Sequence, residues 1–208
     1  RIPPSAGSAS GVLGNPLGYN RVYVHLDGKF SETAWWDGLA KGNCFVTNGP
    51  LLRVRANGRL PGAVFTADGG EPLALKLDVQ LTTLDRLSKL EVIQNGKVTQ
   101  TIPCNGDRNQ AHSLPLTVNE SGWFLIRGIA ENPKTFRFAS TAPFYTELGQ
   151  EKRRISKASS RFFLDWVNER IERVKGNITD QSQQEEVLRF HESARKFWQE
   201  RVRQSNAD

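Results

Sequence analysis

The chain has 208 residues, 38% of them apolar and 24% charged, with a formal net charge of +6 and no methionine. That length can bury a real core and hold one large domain or two small ones, and no run of 18 apolar residues is present to form a membrane-spanning helix. Cys44 and Cys104 lack the CxxC spacing of a zinc site and are too few for a disulfide framework, so they read as free thiols, with a single bridge left open.

The opening residues 5–11, SAGSASG, crowd small side chains ahead of a β-branched run. Three readings compete there: a loose tail, a backbone cradle for phosphate, or an active-site loop whose reactive side chains are missing. The absence of methionine and the start at Arg1 point to a processed or shortened polypeptide. The compartment therefore stays open, secreted and periplasmic placements included.

Residues 20–26, NRVYVHL, alternate as a strand does. FSETAWWDGLAKG then predicts a short helix with Ser31 as N-cap, Glu32 in its first turn, Trp35, Trp36 and Leu39 on a buried side, and Gly42 just past the end. CFVTNGP follows as a brief strand and turn. Strand, helix and strand in this order predict a small parallel βαβ unit whose sheet needs further partners.

From Leu51 the period becomes two. Leu73, Leu75, Leu77, Val79 and Leu81 alternate strictly, Asn57-Gly58 and Asn95-Gly96 mark tight turns, and at least three more strands follow before Gly149. Short strands at this spacing predict a β-sandwich of immunoglobulin-like size. Beyond Gly149, Phe162, Phe163, Trp166, Val167, Ile171 and Val174 share one helical face. Thr179 or Asp180 caps a second helix with Val187, Leu188, Phe190, Ala194, Phe197, Trp198 and Val202 in a stripe, and the short link makes the two helices antiparallel. The expected fold is mainly β with α: a barrel remnant of strand, helix and strand (1–50), a β-sandwich (51–148) and an antiparallel α-hairpin (149–208).

Chemistry-bearing patterns are sparse. His25, His112 and His191 share no metal-ligand spacing, and His25 draws interest because it ends a strand beside a loop that could form a cleft. Asp27 and Asp37 read as acids flanking a helix start at least as well as a catalytic pair. Four of the five tryptophans fall where periodicity asks for a core residue, although a sugar platform is the competing reading. The densest basic stretch, residues 151–161, reads as a solvated patch, and direct nucleic-acid contact is not expected. No catalytic or cofactor-binding residue is assigned.

The segment NRVYVHLDGKFSETAWWDGLAKGNCFVTNGPLLRVRANGRLPGAVF resembles the closing part of proteins in the polymerase and histidinol phosphatase (PHP) superfamily, in the metallohydrolase branch typified by carbaryl hydrolase-like enzymes. The residues that carry the resemblance are Val22-Tyr23-Val24, the Trp35-Trp36 helix, Phe45-Val46 with the motif Thr47, Asn48, Gly49, Pro50, and the pairs Asn57-Gly58 and Pro61-Gly62. SGWFLIRGIAENPKTFRFASTAPFY, residues 121–145, is similar to the sandwich strands of longer members, so that residues 5–148 are covered. Such enzymes carry a late metal-ligand loop of the form small, Asp, small, His before this strand, part of a site of two or three divalent ions that activates water. The resemblance places that loop at Ser8, Ala9, Ser10 and Gly11, with Ala9 for the Asp and Gly11 for the His, which leaves it a vestigial loop without metal ligands. It thus implies a non-catalytic accessory region of a metal-dependent, phosphoesterase-type hydrolase or its inactive relative. No metal or other cofactor is expected in this chain, and any divalent metal belongs to the parent protein. The expected partners are the N-terminal barrel or another copy of the chain, with no membrane. The alternative is a β-sandwich module that binds carbohydrate or protein.

Overall fold

The structure, a computed structural model, describes residues 1–9, 16–69, 71–150 and 153–208. The chain divides into two compact units, Arg1–Lys152 and Arg153–Asp208. The first contains β1 (Arg21–Val24), α1 (Glu32–Ala40), β2 (Cys44–Thr47), β3 (Leu51–Ala56), β4 (Val64–Ala67), β5 (Leu73–Thr82), β6 (Lys89–Gln94), β7 (Lys97–Pro103), β8 (Asn109–Val118), β9 (Gly122–Ala130), β10 (Arg137–Thr141) and β11 (Phe144–Leu148). The second contains α2 (Lys157–Asn177) and α3 (Gln181–Arg203). The chain is thus mixed α/β, mostly strands, with more than one sheet and two C-terminal helices.

Among the described residues the strands form two sheets. The larger runs β1-β2-β10-β9-β11-β4, with β6 on the other side of β9 and β7 beyond it; the smaller runs β3-β5-β8. Strict alternation explains the smaller sheet: Leu75, Leu77, Val79 and Leu81 of β5 are buried, as are Leu52, Val54 and Ala56 of its neighbour β3. These residues share one apolar core with Leu90 and Val92 of β6, Phe124 and Ile126 of β9, and Phe144 of β11. Each sheet hides its apolar face against the other, so neither is stable alone. Asn95 and Gly96, with φ of 48° and 87°, form the two-residue turn between β6 and β7, as the sequence predicts.

The larger sheet changes partners in the middle of one line of chain. β10 and β11 lie in succession along the same edge of β9, and residues 141–143 face only Leu125 and Ile126, which leaves one residue extra. At this bulge the outer neighbour switches from antiparallel β2 to parallel β4. The backbone N–H of Ile126 loses its ladder partner there and donates to Oγ1 of Thr141 at 3.1 Å.

The strand–helix–strand expectation needs correction. β1 and β2 pair antiparallel, with Val24 opposite Cys44, and β2 continues into the larger sheet through β10. The chain leaves β1 at His25 and returns at Asn43, which is close enough for His25 N–H to donate to Asn43 O at 2.8 Å. α1 is therefore an excursion from a strand pair and not a crossover. Ser31 caps it as predicted, its hydroxyl accepting from Ala34 N–H. Gly38 is what lets the helix lie on β1, because a Cβ there would stand 2.6 Å from Cγ1 of Val24. The buried side falls on Gly38 and not on Trp36, whose indole is 57% exposed.

In the second unit the helices are antiparallel: Phe163 near the start of α2 stacks on Trp198 near the end of α3, ring centroids 4.6 Å apart. Asp180 caps α3, accepting from Gln183 N–H. The inner side of α2 carries Ser160, Leu164, Ile171 and Val174, whereas Phe162 and Trp166, expected on it, are exposed. One turn is 3.6 residues, so a stripe through 160, 164, 167, 171 and 174 turns positions 162 and 166 outward.

Candidate functional site

The TNGP motif forms a corner between the two sheets. Thr47 Oγ1 accepts from Gly49 N–H at 2.9 Å and points its own proton toward Pro50 O and Phe138 O, at 2.6 and 2.8 Å. Asn48 Nδ2 donates to Phe136 O at 2.9 Å, and Asn48 Oδ1 accepts from Phe138 N–H at 2.8 Å. Both residues are buried, and each polar side-chain group is used up by backbone. Thr47 and Asn48 stitch the exit of β2 to β10, Gly49 closes the turn, and Pro50 delivers the chain to β3. These four residues hold the fold.

Of the vestigial-loop residues, Ser8 and Ala9 are described, while Ser10 and Gly11 lie outside the described residues. Ser8 Oγ accepts from Asn20 N–H at 2.8 Å, and Ala9 presents an exposed methyl group. A hydroxyl already serving a backbone amide and an alkyl group do not make a divalent-cation site. Among the described residues no three His, Cys, Asp or Glu side chains are grouped to hold a metal ion. Neither Ser8 nor Ala9 supplies the carboxylate or imidazole ligand that the resemblance implies for an active member.

A cleft of about 510 Å³ is lined by residues of β1, β2, β3 and β5. Tyr23 and Phe45, register partners on β1 and β2, stack at 5.1 Å with their planes 7° apart. Val24 and Cys44 point to the other face, the one on which α1 lies. Arg53 and Arg55 of β3, Asp78 and Gln80 of β5, and His25 also line the cleft. His25 Nε2 lies 3.0 Å from Asp27 Oδ1, the carboxylate on the solvent side. Asp78 accepts from Ser113 Oγ at 2.8 Å and lies 3.4 Å from Lys76 Nζ, and these contacts, the Ser113 bond foremost, hold its carboxyl below the usual range. Cys44 turns its thiol away from the rings toward Pro4 O, 3.7 Å away, and burial pushes that thiol up to about 11, which makes it a poor nucleophile. Cys104, likewise a free thiol, is raised too, chiefly by burial.

The cleft thus combines two stacked apolar rings with two cations of β3. His25 was legible in the sequence as a cleft residue. Tyr23, Phe45, Arg53 and Arg55 were not assigned to a site, although the arginines alternate with buried Leu52 and Val54 and so had to point outward. What no pattern along the chain could show is that β1 and β3 come together. No family model, curated protein or solved structure matches this chain.

Proposed function

We propose that this chain is the non-catalytic C-terminal region of a PHP-like, metal-dependent hydrolase of the phosphoesterase type or of an inactive relative, its two sheets an immunoglobulin-sized sandwich that supports the barrel. The observation that carries the reading is the outer side of α1. Phe30, 74% exposed, and Trp36 stand in solvent beside β1, the end strand of the larger sheet. Aromatic side chains next to an unpaired strand edge are what a neighbouring domain covers.

The test uses this chain and the parent protein's barrel region, produced separately. The expected result is no stoichiometric manganese or zinc on this chain, no hydrolysis of p-nitrophenyl phosphate by it, and a complex with the barrel that shields tryptophan from acrylamide and is weakened by Trp36→Asp. Bound metal, turnover by this chain alone, or failure of the two parts to associate overturns the proposal.

A second reading, a sandwich module that binds carbohydrate or protein, is favoured by the cleft itself, whose lining is neither closed nor neutralised.

A further inference from the structure

β8 is an end strand of the smaller sheet. β5 pairs with one of its edges, and among the described residues no strand takes the other. The ladder fixes which backbone groups lie on that second edge. Asn57 N–H donates to Lys76 O, so even-numbered residues of β5 turn their backbone groups to β3 and odd-numbered ones to β8. Their register partners are the even-numbered residues of β8, and Asn109, Ala111, Ser113, Pro115 and Thr117 therefore point outward. All of these are exposed.

The usable part of the edge is short and has definite ends. Pro115 has no N–H to give, and Thr117 O accepts from Gln94 Nε2 at 3.5 Å. Ahead of Asn109 the chain folds back, with Asn105 N–H and Asp107 O held by the Gln110 side chain at 3.2 and 2.8 Å. Between these limits the backbone groups of Asn109, Ala111 and Ser113 have no partner among the described residues. β7, the end strand of the larger sheet beyond β6, carries the usual protections of an edge, namely Lys97, Pro103 and a register shift at Val92–Ile93. Residues 109–113 carry no acid, lysine or arginine, no proline and no bulge.

This stretch is its own complement. Its outward residues are spaced evenly about Ala111, so a second copy running antiparallel sets Ala111 against Ala111 and Asn109 against Ser113, each pair exchanging both backbone hydrogen bonds. The side-chain rows continue without conflict. On the outer face Gln80 flanks Ala111 on either side, and the nearest charges in that row, Arg53 and its copy, stand about 24 Å apart, beyond the Debye length. The row of Asp78 and Ser113 meets Asn109 and Thr82, which are uncharged. On the inner face His112 falls opposite Gln110 of the second copy, at a pair whose Cα atoms approach to about 4.5 Å. His112 Nε2 is buried with no hydrogen-bond partner among the described residues, and Gln110 retains one amide N–H and one carbonyl lone pair.

We propose that β8 joins two copies of this chain edge to edge about a twofold axis at Ala111, giving one continuous sheet β3-β5-β8-β8-β5-β3. The pairing supplies His112 with the partner that the single chain lacks. The barrel reading above concerns α1 and β1, on the other sheet, so either can fail without the other.

Sedimentation equilibrium of the full chain from about 1 to about 500 µM should show a monomer–dimer equilibrium. Amide exchange followed by NMR at both ends of that range should slow on dimerisation at Ala111 and Ser113, whereas His112 N–H, already bonded to β5, is slow throughout. Ala111→Lys and Ala111→Glu place like charges against each other at the axis, and each should weaken the dimer about tenfold or more without changing thermal unfolding of the dilute chain. An equimolar mixture of the two variants should associate more tightly than either alone. The proposal is overturned if the chain stays monomeric at the highest concentration, if a dimer forms without protecting Ala111 and Ser113, if both variants dimerise normally, or if mixing them restores nothing. Should a variant unfold, the exchange pattern of the unsubstituted chain decides by itself.

Discussion

Thr141 is a polar residue in an apolar place, 1% exposed at the bulge between β10 and β11. Its hydroxyl does there what a carbonyl does elsewhere in the ladder, accepting the N–H of Ile126. Thr141→Val keeps the shape and removes the acceptor, so a buried donor is left unpaired and stability falls by about 1–3 kcal/mol, whereas Thr141→Ser retains more of the bond. Urea unfolding of the two variants measures the difference. Several single residues were readable in the sequence because their effect is local. Ser31 caps its helix through the amide three residues on, Asp180, one of the two caps left open for α3, does the same, and Asn95-Gly96 turns the chain by its own backbone preference. Thr141 was not readable, because its partner is 15 positions away on another strand. Trp36 and Trp166 were misplaced as core residues for a related reason: hydrophobicity says what a side chain prefers, not what is present to cover it.

Between elements, the β6–β9 pairing carries a cross-strand ion pair. Glu91 lies opposite Arg127, whose Nη2 and Nε donate to Glu91 Oε2 at 2.6 and 3.1 Å. The Arg127 hydrogen bond is the main cause that holds the Glu91 carboxyl below the ordinary range; Lys89 adds to it, against the opposing effect of burial. A carboxyl whose folded value is depressed contributes stability that is present above its unfolded value and lost as pH falls through the folded one. Thermal midpoints measured from neutral pH downward are therefore expected to decline below the normal glutamate range, and Glu91→Gln to show a shallower decline with a lower midpoint at neutral pH. An unchanged acid limb in the variant would remove Glu91 from this role. Strand and helix positions were largely legible, since periods of two and 3.6 are properties of consecutive residues. Strand direction was not: the same strand–helix–strand order permits a parallel crossover or an excursion from an antiparallel pair, and Gly38 against Val24 with His25 bonded to Asn43 selects the latter.

At the scale of the first unit, one core serves both sheets, and Leu77, fully buried on the central strand of the smaller sheet, sits within it. Leu77→Ala is expected to cost about 3–5 kcal/mol and to lower the stability of the two sheets together. Hydrogen exchange at β5 and at β9 should speed up in parallel; loosening confined to β5 would separate the sheets. The sequence by itself determined what depends on neighbours along the chain: alternating strands, capped helices, tight turns, and arginines of β3 that had to face away from its leucine and valine. Only the tertiary structure decided what depends on residues far apart in number, namely that β1 pairs antiparallel with β2, that the TNGP corner is consumed by β10, and that Tyr23, Phe45 and residues of β3 line one cleft. The physical reason is that backbone preference and hydrophobic period act over a few residues, whereas the partner of a sheet edge or a buried hydroxyl is fixed by the packing of the whole unit.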